Sequence, residues 1–272
     1  GGGDAVTGNK LHIAGKNSYG RLFRNFDSMQ FDLSEDVDSG DTMLKGAVDR
    51  PFDWSHITVT GADKWKTGVK GSHRVTLGDI ASSVASLIHI DNYKLTGGTV
   101  VGDFEYGLRT DIQGTETPST VVARYIYFDH NQISHGDVMY GTTPPALPVP
   151  SEAPIFGGTS TLGNTVHHNK LTLDNVTYTS TISKSVYGGW NQSLTGDATD
   201  NEVVLQNNAY VYTYGAVFGG LTEGSGNATN NTVTLNGNSY SQYSVGSFIY
   251  GGYSVGGGDA VTGNKLHIAG KN

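Results

Sequence analysis

Four segments in the C-terminal half of the chain repeat one another, and a repeat limits what a chain can fold into more than any composition does. IFGGTSTLGNTVHHNKLTLDN begins at Ile155, VYGGWNQSLTGDATDNEVVLQN at Val186, VFGGLTEGSGNATNNTVTLNG at Val217 and IYGGYSVGGGDAVTGNKLHIAG at Ile249. Each runs from a β-branched residue and an aromatic residue through Gly-Gly and a polar, Gly-rich stretch to Asn-x-(Val/Leu)-x-(Leu/Ile). The Asn residues are Asn169, Asn201, Asn231 and Asn264, spaced by 32, 30 and 33 residues.

Each unit reads as strands and turns. Leu171 with Leu173, Val203 with Leu205, Val233 with Leu235 and Leu266 with Ile268 lie two apart, which places each pair on one face of a strand. The Gly-Gly pairs end a second short strand where the backbone can bend. The GDAT, GNAT and GDAVTG stretches have turn composition. Tyr-rich segments, AYVYTYGAV and SYSQYSVGSF, supply a third strand. Two or three short strands cannot bury a core alone, but stacked copies can. The expected fold is therefore all-β, a right-handed parallel β-solenoid (β-helix) of about eight coils over residues 1–272. Strands Lys170–Leu173, Glu202–Leu205 and Thr232–Leu235 should stack in register, and the four Asn residues should form a hydrogen-bonded ladder. A leucine-rich horseshoe lacks its sequence frame here, and a propeller blade needs four strands.

The N-terminal half reads as the same fold with inserted loops over 18–154. SHITVTG at Ser55, SHRVTLG at Ser72, DNYKLTGG at Asp91 and DHNQISHG at Asp129 resemble the second-strand element, with Asn92, Asn131 and Asn169 spaced by 39 and 38 residues. GTTPPALPVPSEAP, from Gly141 to Pro154, holds five of the seven prolines and reads as an extended excursion. GDIASSVASLIHI from Gly78 fits either a helix or a strand.

The repeat pattern resembles those of very large bacterial surface proteins, the passenger domains of autotransporter-type adhesins in anaerobes such as fusobacteria. VYGGWNQSLTGDATDNEVVL and IYGGYSVGGGDAVTGNKLHI carry the resemblance, which covers 155–272 and 1–17 well and 18–154 loosely. It implies a secreted or surface-displayed β-helix at the bacterial cell surface, serving as stalk, adhesin or filament.

A longer period overlies the short one. GGGDAVTGNKLHIAGKN runs from Gly1 to Asn17 and again from Gly256 to Asn272, identical at all seventeen residues with an offset of 255. The other units differ at most variable positions, so the identity reads as a tandem 255-residue block. The alternative, a chain cut with overlapping ends, equally requires the natural sequence to repeat or join head to tail. The expected partners are adjacent repeats stacked end to end, with cell-surface or carbohydrate ligands as further candidates.

Charge and motifs narrow the chemistry. A net charge of −8, from 17 Lys and Arg against 25 Asp and Glu, opposes nucleic acid. No run approaches the ~20 apolar residues of a membrane helix. The absence of Cys excludes thiol catalysis and disulfides. Enzymes of polysaccharide metabolism on β-helices use clustered carboxylates. Asp103, Glu105, Arg109 and Asp111 lie close in sequence, and Asp32, Glu35, Asp36, Asp38 and Asp41 form an acidic run. Both read as solvated loop charge, the acidic run over 32–41 being the better cation candidate. His167 and His168, with His130 and His135, suggest metal. Neighbouring strand residues point to opposite faces, so the pair reads as ordinary turn histidine. No P-loop, Gly-x-Ser-x-Gly or paired-Cys motif is present. Tyr210, Tyr212, Tyr214, Tyr240 and Tyr243 read as stacked ladders rather than a sugar-binding stripe, and the sequons at Asn175, Asn191, Asn227 and Asn230 as strand-turn residues. The expectation is a structural or adhesive element with no catalytic, cofactor or metal residues. The alternatives are a carbohydrate-active lyase or hydrolase, and a ligand-binding module acting through the inserted loops.

Overall fold

In a computed structural model of the chain the Asn positions of the repeat stand directly above one another. The structure describes residues 8–24, 26–48, 52–53, 57–62, 72–82, 88–89, 99–113, 122–142, 145–150, 153–180, 185–213, 215–237, 239–242, 248–258 and 260–269. These divide into two compact units, one of residues 1–69, 73–96 and 106–130, the other of residues 70–72, 97–105 and 131–272. Among the described residues there is no α-helix; the ordered elements are strands.

The second unit is a parallel β-solenoid. Its longest sheet stacks Asp137–Gly141, Lys170–Asp174, Glu202–Gln206, Thr232–Asn236 and Lys265–Ala269. The register is that expected from the repeat, with Leu171 on Val203 on Val233. A second sheet stacks the Gly-Gly strands Ile155–Ser160, Val186–Asn191, Ala216–Thr222 and Phe248–Ser254. A third stacks Thr177–Ser180, Tyr210–Thr213 and Tyr240–Gln242. Ile155, Leu171, Leu173, Val186, Val203, Leu205, Val211, Val217 and Val233 form the core between them.

The Asn ladder runs the length of this stack. The side-chain amide of Asn169 donates to Asn201 Oδ1 at 3.0 Å, that of Asn201 to Asn231 Oδ1 at 3.0 Å, and that of Asn231 to Asn264 Oδ1 at 3.1 Å. Each acceptor oxygen also takes the backbone N–H of the Asn below it, at 2.9 to 3.1 Å. The second amide hydrogen goes to a carbonyl: Asn169 to Ile133, Asn201 to Val166, Asn231 to Ala198 and Asn264 to Ala228. Buried amides are thus fully satisfied, as burial demands.

The ladder explains the Gly-Gly pair. A Cβ on Gly158, Gly189, Gly220 or Gly252 would lie 2.4 to 2.5 Å from the amide of the ladder Asn in its own coil. The residue before each ladder Asn turns the corner with positive φ: His168 at 53°, Asp200 at 54°, Asn230 at 57° and Gly263 at 69°. That left-handed conformation suits Gly, Asn and Asp best.

The count of about eight coils is corrected to about five turns. One cause is register. Asn131 does not join the ladder; Gly136 does, its N–H donating to Asn169 Oδ1 at 2.9 Å. The 38-residue spacing to Asn131 therefore measured no coil.

The first unit begins in the same style. Lys10–Ala14, Ser28–Asp32 and Ile57–Thr60 are parallel and in register, as are Ser18–Gly20, Thr42–Val48 and His73–Ser82. Val122–Gln132 then pairs antiparallel to His73–Ser82, which a pure solenoid does not do. Met29, Phe31, Leu33, Met43, Val75, Leu77, Ile126 and Phe128 fill this core. The ambiguous stretch from Gly78 is strand as far as Ser82 and again at Ile88–His89; the element at Asp91 lies outside the described residues. The Pro-rich excursion turns back, with Leu147 N–H donating to Met139 O at 2.8 Å.

Candidate functional site

The last stacked strand of the second unit carries core-type residues without a cover. Leu266 is 52% exposed and Ile268 51%, whereas their register equivalents Leu171, Leu173, Val203 and Leu205 are fully buried. Lys265–Ala269 pairs with Thr232–Asn236 along one edge, and no further strand follows it in the sheet among the described residues. The identical strand Lys10–Ala14 uses its other edge. It pairs with Ser28–Asp32, and Ile13 is 4% exposed. Asn9 N–H donates to Asp27 Oδ2 at 2.8 Å, and Ser28 N–H donates to Asn9 O at 3.2 Å. The second unit repeats that pattern, with the N–H of Lys265 donating to Asn231 O at 2.8 Å. Asp27 thus stands where the next ladder Asn would be. The two copies together demonstrate that this coil sequence forms parallel pairs through either edge.

A second surface feature lies on the outer face of the Gly-Gly sheet. Tyr187, Phe218 and Tyr250 stack at 5.4 and 5.1 Å with ring planes within 7°, and Trp190 stacks on Tyr187 at 4.6 Å. They occupy the aromatic position of the repeat, so the stack was legible in the pattern. The expected Tyr ladder has Tyr210 on Tyr240 in backbone register; Tyr214 and Tyr243 lie outside the described residues. Because the rings of Phe218 and Tyr187 cover one another, neither offers a clear face for a sugar.

The charged candidates separate into different environments. Glu105 is not solvated loop charge but fully buried. It accepts from Asn131 Nδ2 at 2.9 Å, Ser160 Oγ at 2.8 Å, Thr161 N at 2.9 Å, Leu162 N at 3.2 Å and Asn164 Nδ2 at 2.8 Å. It organises the turn after the first Gly-Gly strand, as Asn191 does one coil on. Arg109 pairs instead with Asp129 at 3.0 Å, which Arg74 also holds at 2.6 Å; both guanidinium groups lie over the Tyr127 ring. Asp111 is on a strand, its side chain outside the described residues. In the acidic run, Lys16 Nζ reaches Asp41 Oδ2 at 3.0 Å. That hydrogen bond, with the charges of Asp41, Asp38 and Asp36, raises the Lys16 pKa. A lysine ammonium thus lies against the carboxylates that read as a cation site.

The histidines correct one inference. His167 and His168 do not diverge: their Nδ1 atoms are 2.9 Å apart. The positive φ of His168 breaks the strand alternation and swings both rings to one side. His135 stacks on His168 at 5.6 Å, and its Nδ1 lies 2.7 Å from Asp103 Oδ1. Hydrogen bonds from Ser134 and then His135 lower the Asp103 pKa. Burial lowers that of His167, and the nearby His168 and His135 push it the same way. His130 belongs to the first unit, against His73. Among the described residues no group of three or more His, Asp or Glu is arranged to hold a metal ion. Of the sequons, Asn191 is buried, while Asn175 and Asn230 are exposed at positive-φ corners. No helix among the described residues is long and apolar enough to cross a membrane. No protein-family model, curated protein or solved structure matches the chain.

Proposed function

We propose that the chain is a structural, adhesive-type repeat of a long extracellular bacterial fibre or surface stalk, built to continue along its axis. One observation carries this reading. A single seventeen-residue coil occurs twice without change, pairing upward onto Ser28–Asp32 in one copy and downward onto Thr232–Asn236 in the other. A rod needs the same packing many times, whereas an active site needs unique residues once. The carboxylates that would serve an enzyme have structural partners: Glu105 with five donors, Asp129 with two arginines, Asp103 with Ser134 and His135.

Immunogold labelling with antibodies to this chain should mark surface filaments of the source cell at regular intervals, one mark per 255-residue block. Label confined to the cell interior, or one mark per filament, refutes the fibre. Release of reducing ends or unsaturated products from polysaccharides, abolished by Asp103→Ala, would move the assignment to the enzyme.

A further inference from the structure

We propose that Asn175 is a glycosylation site, its side-chain nitrogen carrying a sugar that lies in the polar recess at the same corner of the second unit. The proposal stands apart from the fibre reading. Four Asn-x-(Ser/Thr) sequences occur, at Asn175, Asn191, Asn227 and Asn230. An acceptor must offer both its amide nitrogen and the hydroxyl two residues on to an enzyme from outside. The fold does this at one of the four.

Asn175 directly follows Lys170–Asp174, and Thr177 opens Thr177–Ser180. Val176, between them, packs against the core that holds Tyr178, while Asn175 and Thr177 are both exposed. The corner is held by its backbone: Asn175 has a φ of 52°, and its N–H donates to Gln206 O at 3.1 Å. Among the described residues its side-chain amide has no partner.

The other three are engaged. Asn191 is buried; its amide donates to Asn164 O at 2.9 Å, and its Oδ1 accepts from Ser193 Oγ at 2.8 Å. Asn227 Oδ1 accepts from Ala260 N–H at 2.8 Å. Asn230 is exposed, but its Oδ1 lies against the next coil, where a Cβ on Gly263 would be 2.1 Å from it. Its Thr232 is half-buried, in register between Glu202 and Lys265.

The recess is an independent observation. It has a volume of about 390 Å³ and is lined by Gly141, Thr142, Asp174, Asn175, Asn207 and Asn208. That volume falls in the ~300–1,000 Å³ range of ligand clefts, and a lining without apolar side chains suits hydroxyl groups. Asn207 Nδ2 donates to Asp174 Oδ1 at 2.7 Å, which fixes both side chains. Asp174 Oδ2 and Asn207 Oδ1 are then placed to accept from sugar hydroxyls.

The donor is a sugar activated as a phosphate ester at its anomeric carbon. Asn175 Nδ2 forms the bond to that carbon. The bond from the carbon to the phosphate oxygen breaks, the phosphate leaves with the electron pair, and one Nδ2 proton passes to a base of the transferase.

Peptide mass spectrometry on the full chain purified from the source cell tests this. The peptide holding Asn175 should carry the added mass of a sugar, and the peptides of Asn191, Asn227 and Asn230 should not. Asn175→Gln should abolish the addition. Thr177→Ser should keep it and Thr177→Val should abolish it, with circular dichroism unchanged because the side chain is exposed. Hydrogen exchange at the Asn207 and Asn208 amides should be slower in the glycosylated chain than in Asn175→Gln. An unmodified Asn175 overturns the proposal, as does a sugar on one of the other three instead. Exchange at Asn207 and Asn208 that is the same with and without the sugar overturns its seat in the recess.

Discussion

Replacing Asn201 by Ala removes a central rung of the ladder, and its cost follows from what is left unpaired. Asn201 Oδ1 accepts from both the backbone N–H and the amide of Asn169, and its own amide donates to Val166 O and Asn231 Oδ1. After truncation, Asn169 Nδ2 keeps Ile133 O and Asn231 Oδ1 keeps the backbone N–H of residue 201. The Asn169 N–H and the Val166 carbonyl lose the Asn201 partner. Two orphaned buried groups at about 1–3 kcal/mol each give a loss of roughly 2–6 kcal/mol. Gly189 supplies the control. A Cβ there would meet Asn201 atoms at 2.4 to 2.6 Å, and these are its three nearest neighbours. Gly189→Ala alone should therefore cost about 1–3 kcal/mol of overlap, and that cost should vanish in the Asn201→Ala background. Urea denaturation followed by circular dichroism measures both single variants and the double variant. The reasoning fails if Asn201→Ala costs less than about 1 kcal/mol, or if Gly189→Ala costs as much in the Asn201→Ala background as in the parent chain.

Three further outcomes follow from the same geometry. Phe218→Ala removes the ring between Tyr187 and Tyr250 and should cost about 3–5 kcal/mol in the same denaturation. Glu105→Gln can keep an oxygen for Asn131 Nδ2, Thr161 N and Leu162 N but turns an NH2 toward the two donors on the other oxygen, Ser160 Oγ and Asn164 Nδ2; it should cost about 1–3 kcal/mol in the same denaturation. The folded state holds His167 below its ordinary pKa of 6.5, so the unfolded chain binds more protons just below that value. This contribution is intact above pH 6.5 and is lost as the pH falls through the folded pKa; His167→Gln should flatten that part of the stability profile, and an unchanged profile refutes the assignment.

Local regularity made much of the second unit legible. Period-two pairs such as Val203 with Leu205 and a recurring Asn before each strand fix both face and register, because a slip of one residue would turn every apolar side chain outward. Features that depend on conformation at a single residue were not legible in this way. Once His168 takes a left-handed turn, the alternation rule no longer separates it from His167. The signal was present nonetheless: His-Asn, Asp-Asn, Asn-Asn and Gly-Asn mark the four corners. Glu105 escaped for a different reason. Its five partners come from residues 26 to 59 positions away, so nothing in its neighbourhood signals burial. The antiparallel strand Val122–Gln132 likewise matches the solenoid strands in composition and departs from them only in direction.

The duplicated coil separates what a sequence contributes from what its neighbours contribute. Ile13 and Ile268 stand at the same position of the same seventeen residues, yet one is 4% exposed and the other 51%. Backbone conformation does not explain the difference, since both strands span the same five residues, Lys10–Ala14 and Lys265–Ala269. Both copies are paired along a single edge, with Ser28–Asp32 or with Thr232–Asn236. The difference is that Ile13 joins the core of the first unit around Phe31, while Ile268 joins no core cluster among the described residues. In a solenoid each coil forms half of its neighbour's core, so burial is a property of a pair of coils rather than of a strand. Each added coil covers the last one and presents an equivalent surface to the next.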